Sequence, residues 1–512
     1  MSEQEQFLQV LDRDEAERRF RDAIDLSPLG AETIPLGTAL GRVLAADVVS
    51  PVDVPSFDRS NVDGFAVVAE DTFGASEEAP RLVQLIDEEI HTGVVPATVI
   101  EPGKGVLIAT GGMVPRGADA VVMVEHAETR GSELRIARAV TAGSGISFAG
   151  TDITAGETVL RRETLLTSRD TGVLAAIGVA RVNVWRKPIV AILSTGDEII
   201  APGDPMQPAK VYDSNAQVLA DAVQESGGEP LRLGITHDDV AALRERLRHA
   251  LEVADVVLLS GGTSKGAGDV SYRVVAELDN PGIVAHGVAL KPGKPICLAA
   301  SKRRPVVVLP GFPTSAIFTF HEFVAPVIRL LAGRGSEERT VVPAKLAVKV
   351  NSEIGRTEYL LVGLVETPNE GLAAYPMGQG SGSVTTFSRA DGFATIGRHE
   401  EIVQAGTTIN VQLLGRDLQL ADLVVIGSHC LGLDYLLGEL QRQGVRSKFL
   451  AVGSTAGLDA AKRGECDLAG IHLLDPKRKE YGRVIEKVEV LNQRDEVVLA
   501  CEHVLLAKKR GV

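Results

Sequence analysis

The spacing of hydrophobic and polar residues changes along the chain and separates helical, strand-rich and alternating regions. Residues 11 to 25 repeat apolar positions at helical intervals, which predicts an amphipathic helix. Residues 51 to 145 instead contain short apolar runs such as FAVVA, GVLIAT and AVVMVE, separated by glycine, proline and acidic turns. This second pattern predicts a β-rich lobe built from short strands.

From Lys187 onward, strand-like and helical segments alternate. The predicted strands are PIVAILST, PLRLGIT, ADVVLLS, PICLAA and PVVVLP. The predicted helices are NAQVLADAVQES, which Gly227 and Gly228 end, DVAALRERLRHAL, VSYRVVAEL and TSAIFTFHEF. Such alternation predicts a mostly parallel sheet, and ligands of these sheets gather at the carboxyl ends of the strands.

The last part of the chain repeats the contrast between strand-rich and alternating regions. Residues 336 to 414 carry short β-like runs with many glycines. From about residue 420 the pattern predicts strands at DLVVIGS, SKFLAVGS and DLAGIHLL and helices at LGLDYLLGELQRQG and TAGLDAAKRG. We interpret the segment after DLAGIHLLD as a short, charged remainder.

Length and charge restrict the classes of function. A chain of 512 residues predicts several domains. The formal net charge of −15 and an aromatic content of 4% disfavour binding to nucleic acids and to anionic membrane surfaces. Anionic small molecules stay open, because a divalent cation or a local lysine and arginine cluster reverses the sign within one site.

The N-terminus and the cysteines indicate the compartment. MSEQEQFLQVLDRDEAERRF has no long apolar core and is not typical of a secretory signal, and no apolar run is expected to reach membrane-spanning length. Cys297, Cys430, Cys466 and Cys501 lie far apart and form no C-x-x-C pair. We therefore expect a reduced cytosolic protein without a zinc site or a disulfide framework.

One glycine-rich loop is a candidate anion site. Ser260-Gly261-Gly262-Thr263-Ser264 follows the strand ADVVLLS, and Asp269 precedes the next helix. Glycine pairs let backbone N–H groups face an anion, and the N-terminus of the following helix favours negative charge. The alternative is a glycine turn with Asp269 as the helix N-cap. The residues alone do not decide between these two interpretations.

Four further polar segments have both a functional and a structural interpretation. The STGDE segment at 194–198 ends a strand and suits a hydrated magnesium ion, or is a solvated acidic turn. Lys291 and Lys294 in KPGKP suit an oxyanion, or form a solvated turn. Ser315 in LPGFPTS contacts a ligand oxygen or caps a helix. The segment DRSNVDGF at 58–65 is dense in turn-forming polar groups.

Nine segments, in this order, resemble the molybdopterin molybdenumtransferases, the MoeA and gephyrin E-domain family. The most specific is ALGRVLAADVVSPVDVPSFDRSNVDGFAV, and the others are IATGGMVPRGADAVVMVE, AGTDITAGE, LSTGDEI, VYDSN, SGGTSKGAGD, KPGKPI, LPGFPTSA and SRADGFATI. They lie between about residues 11 and 414. The chain departs from the family pattern at SNVDGF, at Phe312 and at Lys265, and none of these changes removes a carboxylate of the implied site.

The resemblance implies a multidomain fold of the α/β plus β class and a homodimer of L-shaped subunits. The implied parts are an N-terminal linker and helical domain (residues 1–50 and 146–186), a β-rich arm (51–145), a central three-layer α/β molybdopterin-binding domain (187–335), a small β-barrel (336–415) and a C-terminal α/β lobe (416–512).

The resemblance also implies a step of molybdenum-cofactor biosynthesis in the cytoplasm. Molybdate is inserted into adenylyl-molybdopterin in a Mg²⁺-dependent reaction, and AMP is released. The implied partners are a molybdopterin adenylyltransferase upstream and molybdoenzymes downstream, with no nucleic acid and no membrane. Magnesium would neutralise phosphate charge, which is the main electrostatic task in phosphoryl chemistry.

The residues that match family positions fall into three groups. The implied catalytic residues are Asp63, Thr110, Asp152, Glu198, Asp238 or its neighbour Asp239, and Asp269, of which Glu198 and Asp269 are also the implied magnesium ligands. The implied cofactor-binding residues are Asp213, Ser214, Gly261, Gly262, Thr263, Ser264, Pro310 and Pro313. The implied molybdate-binding residues are Lys291, Lys294, Ser315 and Arg356. Asp63, Thr110 and Asp152 are expected to complete the cleft from the partner subunit.

The C-terminal segment resembles the periplasmic-binding-protein-like domain that is fused to some members of this family. Ser428 and Ser454 fall at strand-to-helix turns, where hydroxyls and helix N-terminal N–H groups hold oxyanions. Two hypotheses stay open: an oxyanion sensor or store, and a docking lobe without a ligand. The second lobe that such domains need is expected to be truncated or diverged.

Two other functions compete with the transferase. A non-catalytic scaffold or sensor has no need of clustered carboxylates, so Asp63, Glu198 and Asp269 favour an enzyme. An adenylyltransferase that makes adenylyl-molybdopterin has a related α/β domain, but the β-rich arm and the segment DRSNVDGF argue against it.

Overall fold

The computed structural model describes two compact units. It covers residues 10–261, 270–335, 340–368, 371–378, 383–415, 418–471, 473–474, 481–491 and 497–508, and from residue 472 onward it describes the backbone alone. One unit comprises residues up to 27, 187–331 and those from 335 onward; the other comprises residues 28–186 and 332–334. The domain boundaries given above remain predictions.

The unit of residues 28–186 is mainly strand. After α1 (Arg13–Ala23), which belongs to the other unit, its elements are β1 (Ala31–Pro35), β2 (Val48–Val49), β3 (Arg59–Ser60), β4 (Gly64–Val67), β5 (Arg81–Ile90), β6 (Lys104–Ile108), β7 (Ala120–Met123), β8 (Ala127–Arg130), β9 (Glu133–Ile136), β10 (Ile146–Ser147), β11 (Thr158–Leu160), α2 (Ser168–Ala176) and β12 (Arg181–Trp185). Six of these strands form one sheet in the order β7-β4-β6-β5-β9-β8. The predicted β-rich lobe of short strands is confirmed.

The α/β part of the other unit follows the predicted alternation. Its elements are β13 (Ile189–Thr195), β14 (Ile199–Ile200), β15 (Val211–Tyr212), α3 (Ser214–Glu225), β16 (Glu229–Thr236), α4 (Val240–Val253), β17 (Val256–Ser260), α5 (Val270–Val275), β18 (Pro281–His286), β19 (Leu290–Lys291), β20 (Cys297–Ser301), β21 (Arg304–Leu309), α6 (Pro313–Thr319), a π-helical turn (Phe320–Val324) and α7 (Ala325–Leu331). Helix α5 is shorter than the predicted VSYRVVAEL.

Four parallel strands and two strands with antiparallel pairing form the central sheet. The order is β16-β13-β17-β21-β20-β18, and β20 and β18 run antiparallel to their neighbours. Helices α4 and α5 cover one face, where Leu243, Leu247 and Val274 pack on Leu193 and Leu259. Helices α3 and α6 pack together on the opposite face. The result is the predicted three-layer domain with a mostly parallel sheet.

Helix α1 joins this sheet rather than the elements that follow it in sequence. It packs against β18 and β20 with Ala16 and Phe20 buried, and Arg13 forms an ion pair with Glu322 of the π-helical turn. The prediction grouped residues 1–50 in one domain, whereas the two compact units divide that range after residue 27. The reason is the apolar face of α1, which is buried against the sheet.

One helical stretch contradicts the expectation that no apolar run reaches membrane-spanning length. Pro313–Leu331 spans 19 residues, has a mean hydropathy of 1.2 and is 72% buried. The π-helical turn joins two short apolar helices into one stretch, which the sequence pattern did not reveal. A core helix passes the same test, so this stretch is weak evidence for a membrane span.

Residues 341–413 form a closed barrel. The elements are β22 (Val341–Leu346), β23 (Val350–Asn351), β24 (Thr357–Thr367), β25 (Gly371–Pro376), α8 (Val384–Arg389), β26 (Gly392–Ile396), β27 (Ile402–Val403) and β28 (Thr408–Leu413). The order β24-β25-β22-β28-β26 closes because β26 pairs again with β24. Strand β19 of the α/β part pairs in parallel with β24 of the barrel. Backbone hydrogen bonds therefore connect the α/β part to the barrel, although the two strands are far apart in sequence.

The C-terminal lobe differs from its prediction in the last strands. Its elements are β29 (Leu423–Gly427), α9 (Leu431–Arg442), β30 (Ser447–Ala451), α10 (Ser454–Lys462), β31 (Leu473–Leu474), β32 (Tyr481–Leu491) and β33 (Val497–Lys508). The predicted strand DLAGIHLL is reduced to one bridge between Leu468 and Val425, and β31 pairs with β32 instead. No strand was predicted in the charged remainder, whereas β32 and β33 form a long antiparallel hairpin there. Within RVIEKVEV, apolar and charged residues alternate only in the second half, KVEV, which is a weak strand signal.

The lobe packs on the barrel. Buried Leu450 of the lobe contacts the barrel's fully buried Tyr375 in one apolar cluster. The Lys448 ammonium lies 2.5 Å from the Asp391 carboxylate, with only 13% and 16% of the two side chains exposed. The same ammonium donates to the Leu364 carbonyl at 2.7 Å. Barrel and lobe therefore form a continuous structure.

Candidate active site

The candidate site lies at the carboxyl ends of the parallel strands. Gly196-Asp197-Glu198 follows β13, His237-Asp238-Asp239 follows β16, Gly261 follows β17, and Pro310-Gly311-Phe312-Pro313 follows β21. These four strands are neighbours in the sheet, so their end loops converge at one edge. This edge is where open α/β sheets bind ligands.

Buried polar atoms without a partner concentrate at this edge. Within the described side chains, four buried polar atoms lack a hydrogen-bond partner, and two of them are Ser194 Oγ near the end of β13 and Thr236 Oγ1 at the end of β16. A third, His286 Nε2, lies at the same edge on β18, where His286 pairs with Cys297. Such atoms are uncommon in folded proteins and often mark a functional site.

Gly261 is required by a close approach between strands. Its φ of +105° lies in a region that L side chains rarely adopt, and a Cβ at this position would overlap the Thr195 carbonyl oxygen. The Thr195 hydroxyl lies 3.1 Å from Ser271 Oγ of α5. Gly262, Thr263, Ser264 and Asp269 lie outside the described residues, as does Lys265, so their implied roles remain predictions.

Helix α3 is tied to two of the strand ends by Asn215. Its side-chain Nδ2 donates to Ser260 Oγ at 2.9 Å and to the Gly311 carbonyl at 2.9 Å. Asp213 caps the helix by accepting from the Ala216 amide at 3.0 Å. Asn215 was not among the predicted site residues, although it ends the family segment VYDSN.

Asp213 and Ser214 have a structural role and also border a pocket. The open pocket of about 570 Å³ at the start of α3 is lined by Pro202, Gly203, Tyr212, Asp213, Ser214, Gln217 and Val218. The prediction that both residues contact the cofactor remains untested. A helix N-terminus next to an open pocket is consistent with an anionic group there.

Three carboxylates lie together after β13 and β16. The Asp238 amide donates to Asp197 Oδ1 at 3.3 Å, and His237 Nδ1 lies 3.0 Å from the same oxygen. The bond from the Asp238 amide, with a smaller contribution from His237, lowers the pKa of Asp197. Burial raises the pKa of Asp238, and the charges of Asp197 and Glu198 act in the same direction. Asp238 therefore binds a proton more readily than Asp197.

The carboxylate set suits a magnesium ion in its donor chemistry. Magnesium prefers oxygen ligands and commonly takes one or two carboxylates plus phosphate oxygens. Glu198 folds back over Gly196, where a Cβ would lie 2.6 Å from Glu198 Oε2. No group of three or more histidine, cysteine or acidic side chains among the described residues is arranged to hold a metal. Cys297 is buried, and Cys430 and Cys466 are partly buried.

The four residues implied for molybdate come from elements that meet. The Lys291–Lys294 loop packs against α6, because a Cβ on Gly293 would overlap Thr319 and lie 3.9 Å from the Ser315 carbonyl oxygen. Strand β19, which contains Lys291, pairs with β24 directly after Arg356. Ser315 is buried in the first turn of α6, which Pro313 begins.

Two carboxylates that sequence reasoning missed accompany these cations. The Lys291 ammonium lies 3.2 Å from Glu358, and the Arg356 guanidinium lies 2.7 Å from Glu353. Glu358 is 67 residues away from Lys291, so only the strand pairing reveals this contact. Phe312, where the family usually has asparagine, is 61% exposed at the turn before α6.

The implied residues of the other unit form a separate local arrangement. Asp63 Oδ1 accepts from the Thr110 amide at 2.7 Å and from the Thr110 hydroxyl at 2.9 Å. These two bonds, the amide first, lower the pKa of Asp63. Asp152 is exposed, and its amide donates to the Val54 carbonyl at 3.0 Å. The structure thus brings Asp63 and Thr110 together as predicted.

In the C-terminal lobe, the two predicted serines meet. Ser428 Oγ and Ser454 Oγ lie 2.9 Å apart at the ends of β29 and β30, and the neighbouring His429 contacts Asp434 at 2.8 Å. The serines satisfy each other, so this geometry alone does not indicate a bound oxyanion.

Comparison with protein families covers nearly the whole chain. Residues 11–178 match the MoeA N-terminal region (domain I and II), residues 191–330 match a family described as a probable molybdopterin binding domain, and residues 343–414 match the MoeA C-terminal region (domain IV). Residues 437–502 match the PBP superfamily domain. This last match includes β32 and the first half of β33, the hairpin strands that the sequence pattern did not predict.

Individual proteins show the same relationship. The chain is 36% identical over 332 residues to molybdopterin molybdenumtransferase 2 of Mycobacterium tuberculosis, which covers 64% of this chain and 82% of the relative. It is 33% identical to molybdopterin molybdenumtransferase of Nostoc, over 74% of this chain and 88% of the relative. A crystal structure of the molybdopterin biosynthesis MoeA protein from Pyrococcus horikoshii superimposes with a TM-score of 0.68 at 37% identity, covering 79% of this chain and 99% of that one.

These matches agree with the strand-end loops, the barrel and the arm. The order of the nine sequence segments, the three-layer domain and the closed five-stranded barrel all fit one architecture. The relatives that align with this chain over most of their own length, at more than 30% identity, are molybdenumtransferases of molybdenum-cofactor biosynthesis. The chain belongs to the molybdopterin molybdenumtransferase family.

Proposed function

We propose that the chain inserts molybdate into adenylyl-molybdopterin in a Mg²⁺-dependent reaction that releases AMP. The observation that carries this proposal is the group of Asp197, Glu198 and Asp238 at the same sheet edge as the Gly261 turn. Phosphoryl chemistry needs positioning and charge neutralisation more than covalent catalysis. Oxygen ligands next to a backbone that admits close approach meet both needs.

Each part of the site has a distinct task in this proposal. Magnesium, when bound, would neutralise the phosphoanhydride oxygens, and Glu198 with Asp269 would hold it. Asp238 would accept the proton of the attacking water, because its raised pKa makes it a stronger base than Asp197, whose pKa is lowered. Asn215 fixes the helix and strand ends that form the cleft. Lys291, Lys294 and Arg356 would hold the molybdate dianion with charge-assisted hydrogen bonds.

The proposal includes the setting of the reaction. We expect a cytoplasmic homodimer in which Asp63, Thr110 and Asp152 complete the partner's cleft. Its substrate would come from a molybdopterin adenylyltransferase, and its product would pass to molybdoenzymes. Neither a nucleic acid nor a membrane takes part. The net charge of −15 supports the exclusion of nucleic acid.

The test is AMP release from purified protein. Adenylyl-molybdopterin, magnesium and molybdate are supplied together and then with each of the two ions omitted. We expect AMP release only with both ions present. Release without molybdate, or no release with both ions, contradicts the proposal. A scaffold would bind the nucleotide substrate without releasing AMP, and an adenylyltransferase would instead consume ATP and molybdopterin.

A further inference from the structure

The cations implied for molybdate are partly compensated by carboxylates that belong to the barrel. Lys291 Nζ lies 3.2 Å from Glu358 Oε1 and 3.3 Å from Glu358 Oε2, so one ammonium faces both oxygens. The Arg356 guanidinium is bound to Glu353. Three cations and two carboxylates thus occur in this part of the unit. Two of the three cations therefore have a carboxylate partner in the structure.

Glu358 differs from an ordinary surface carboxylate. Only 10% of its side chain is exposed, whereas 38% of the Lys291 side chain is exposed. Ser352 donates its hydroxyl to Glu358 Oε2 at 2.7 Å and fixes the carboxylate from the barrel side. The pairing of β19 with β24 sets Lys291 opposite Glu358, and the Thr357 amide donates to the Ala289 carbonyl at 2.9 Å beside it. The carboxylate is therefore held in place, and the ammonium is the partner that solvent and ligands reach.

We propose that Glu358 sets the oxyanion affinity of the Lys291 site by holding the lysine and opposing part of its charge. The inference rests on the proposed function, because it takes molybdate as the ligand of this site. A fixed negative charge beside the ammonium repels a tetrahedral dianion and weakens its binding. Glu358 also orients the Lys291 ammonium. Because the Ser352 hydroxyl stays hydrogen-bonded to one Glu358 oxygen, the carboxylate keeps this solvation throughout each turnover.

This arrangement has a chemical purpose that a bare basic cluster lacks. Molybdate is a substrate that has to leave the cationic side chains when it enters the dithiolene. Binding that is equally strong before and during the reaction does not accelerate turnover. A carboxylate that lowers the affinity of the resting site therefore favours transfer, and it also limits occupation by other dianions such as sulfate.

The test is Glu358→Gln, which removes the charge and keeps the shape and an acceptor for Ser352. Binding of molybdate to the full chain is measured by calorimetry, and the KM for molybdate is measured in the AMP-release assay. We expect the dissociation constant to fall about tenfold, a change of about 1.4 kcal/mol. The KM for molybdate falls with it, while kcat does not rise. Sulfate becomes a stronger inhibitor in the same variant.

The matched control is Glu366→Gln on the same strand. Glu366 is exposed and lies eight positions from Glu358 at the other end of β24, so its removal changes net charge equally without touching Lys291. We expect unchanged molybdate affinity in this control. Weaker or unchanged binding in Glu358→Gln overturns the inference, since a purely structural carboxylate would give a loss. If wild-type protein neither binds molybdate nor releases AMP, the proposed function fails instead.

Discussion

The buried ion pair between lobe and barrel predicts that Lys448→Met loosens the C-terminal lobe. The substitution keeps most of the apolar stem and removes the ammonium that lies 2.5 Å from Asp391. Removing one partner of a buried ion pair costs about 3–5 kcal/mol, because the other charge stays buried without compensation. Asp391 keeps one bond, from the Leu364 amide at 2.5 Å. We therefore expect the lower end of the range, about 3 kcal/mol.

Native-state hydrogen exchange measures this loss without assuming that a multidomain chain unfolds in one step. The Ile426 amide, which donates to the Leu468 carbonyl at 3.0 Å, reports on opening of the lobe. A loss of about 3 kcal/mol accelerates its exchange about a hundredfold, since each 1.4 kcal/mol corresponds to a factor of ten. Far-ultraviolet circular dichroism of the variant should match the wild type.

Arg446→Met is the control in the same lobe. Arg446 pairs with Asp422 at 2.9 Å, but 60% and 47% of the two side chains are exposed. Exposed pairs contribute about 0–1 kcal/mol. Acceleration of less than about fivefold is therefore expected for this control. If Lys448→Met also stays below that value, or if both variants behave alike, the reasoning from burial is wrong.

Three further variants test the candidate active site. Glu198→Ala is expected to lower AMP release at least about a hundredfold with an unchanged fold. The control Glu229→Ala, at the opposite end of the sheet, retains activity. Wild-type turnover in Glu198→Ala would remove Glu198 from the site. Gly261→Ala should lose activity and thermal stability together, because its Cβ would overlap the Thr195 carbonyl, and an unaltered melting temperature would contradict this packing. Asp238 has a raised pKa and must be deprotonated to accept a proton, so kcat should fall as pH falls through that pKa; Asp238→Asn should remove this acid limb, and its persistence would assign the base elsewhere.

The sequence predicted those helices and strands whose own hydrophobic residues show the pattern of the element. Four of the predicted strands, β13, β17, β20 and β21, are continuous apolar runs because both faces of the sheet are covered, and each was found at its predicted place. The strand at DLAGIHLL failed for the opposite reason. This segment contains apolar residues, but only Leu468 pairs with β29. Whether such a run becomes a strand depends on its pairing register with neighbouring segments, which its own residues do not encode.

The candidate site was predictable to the extent that its residues follow strand ends. Glu198, Asp238 and Gly261 each stand directly after an apolar run, so their convergence follows from the parallel sheet. Glu358 and Glu353 could not be found in this way. They lie in a barrel strand and its preceding turn, and their contacts with cations depend on pairing between β19 and β24 across a long stretch of chain.

The order of synthesis determines when α1 can form its contacts. This helix leaves the ribosome well before its partners, because Arg13 binds Glu322, which is 309 residues later, and Asp12 binds Arg398, which is 386 residues later. At a synthesis rate of about 5–20 residues per second, α1 waits roughly 15–60 seconds for Glu322. Residues 28–186 emerge complete during that interval. Nascent chains halted before residue 281 should therefore hold residues 28–186 folded behind an amphipathic helix whose sheet is not yet made, which is a binding target for chaperones.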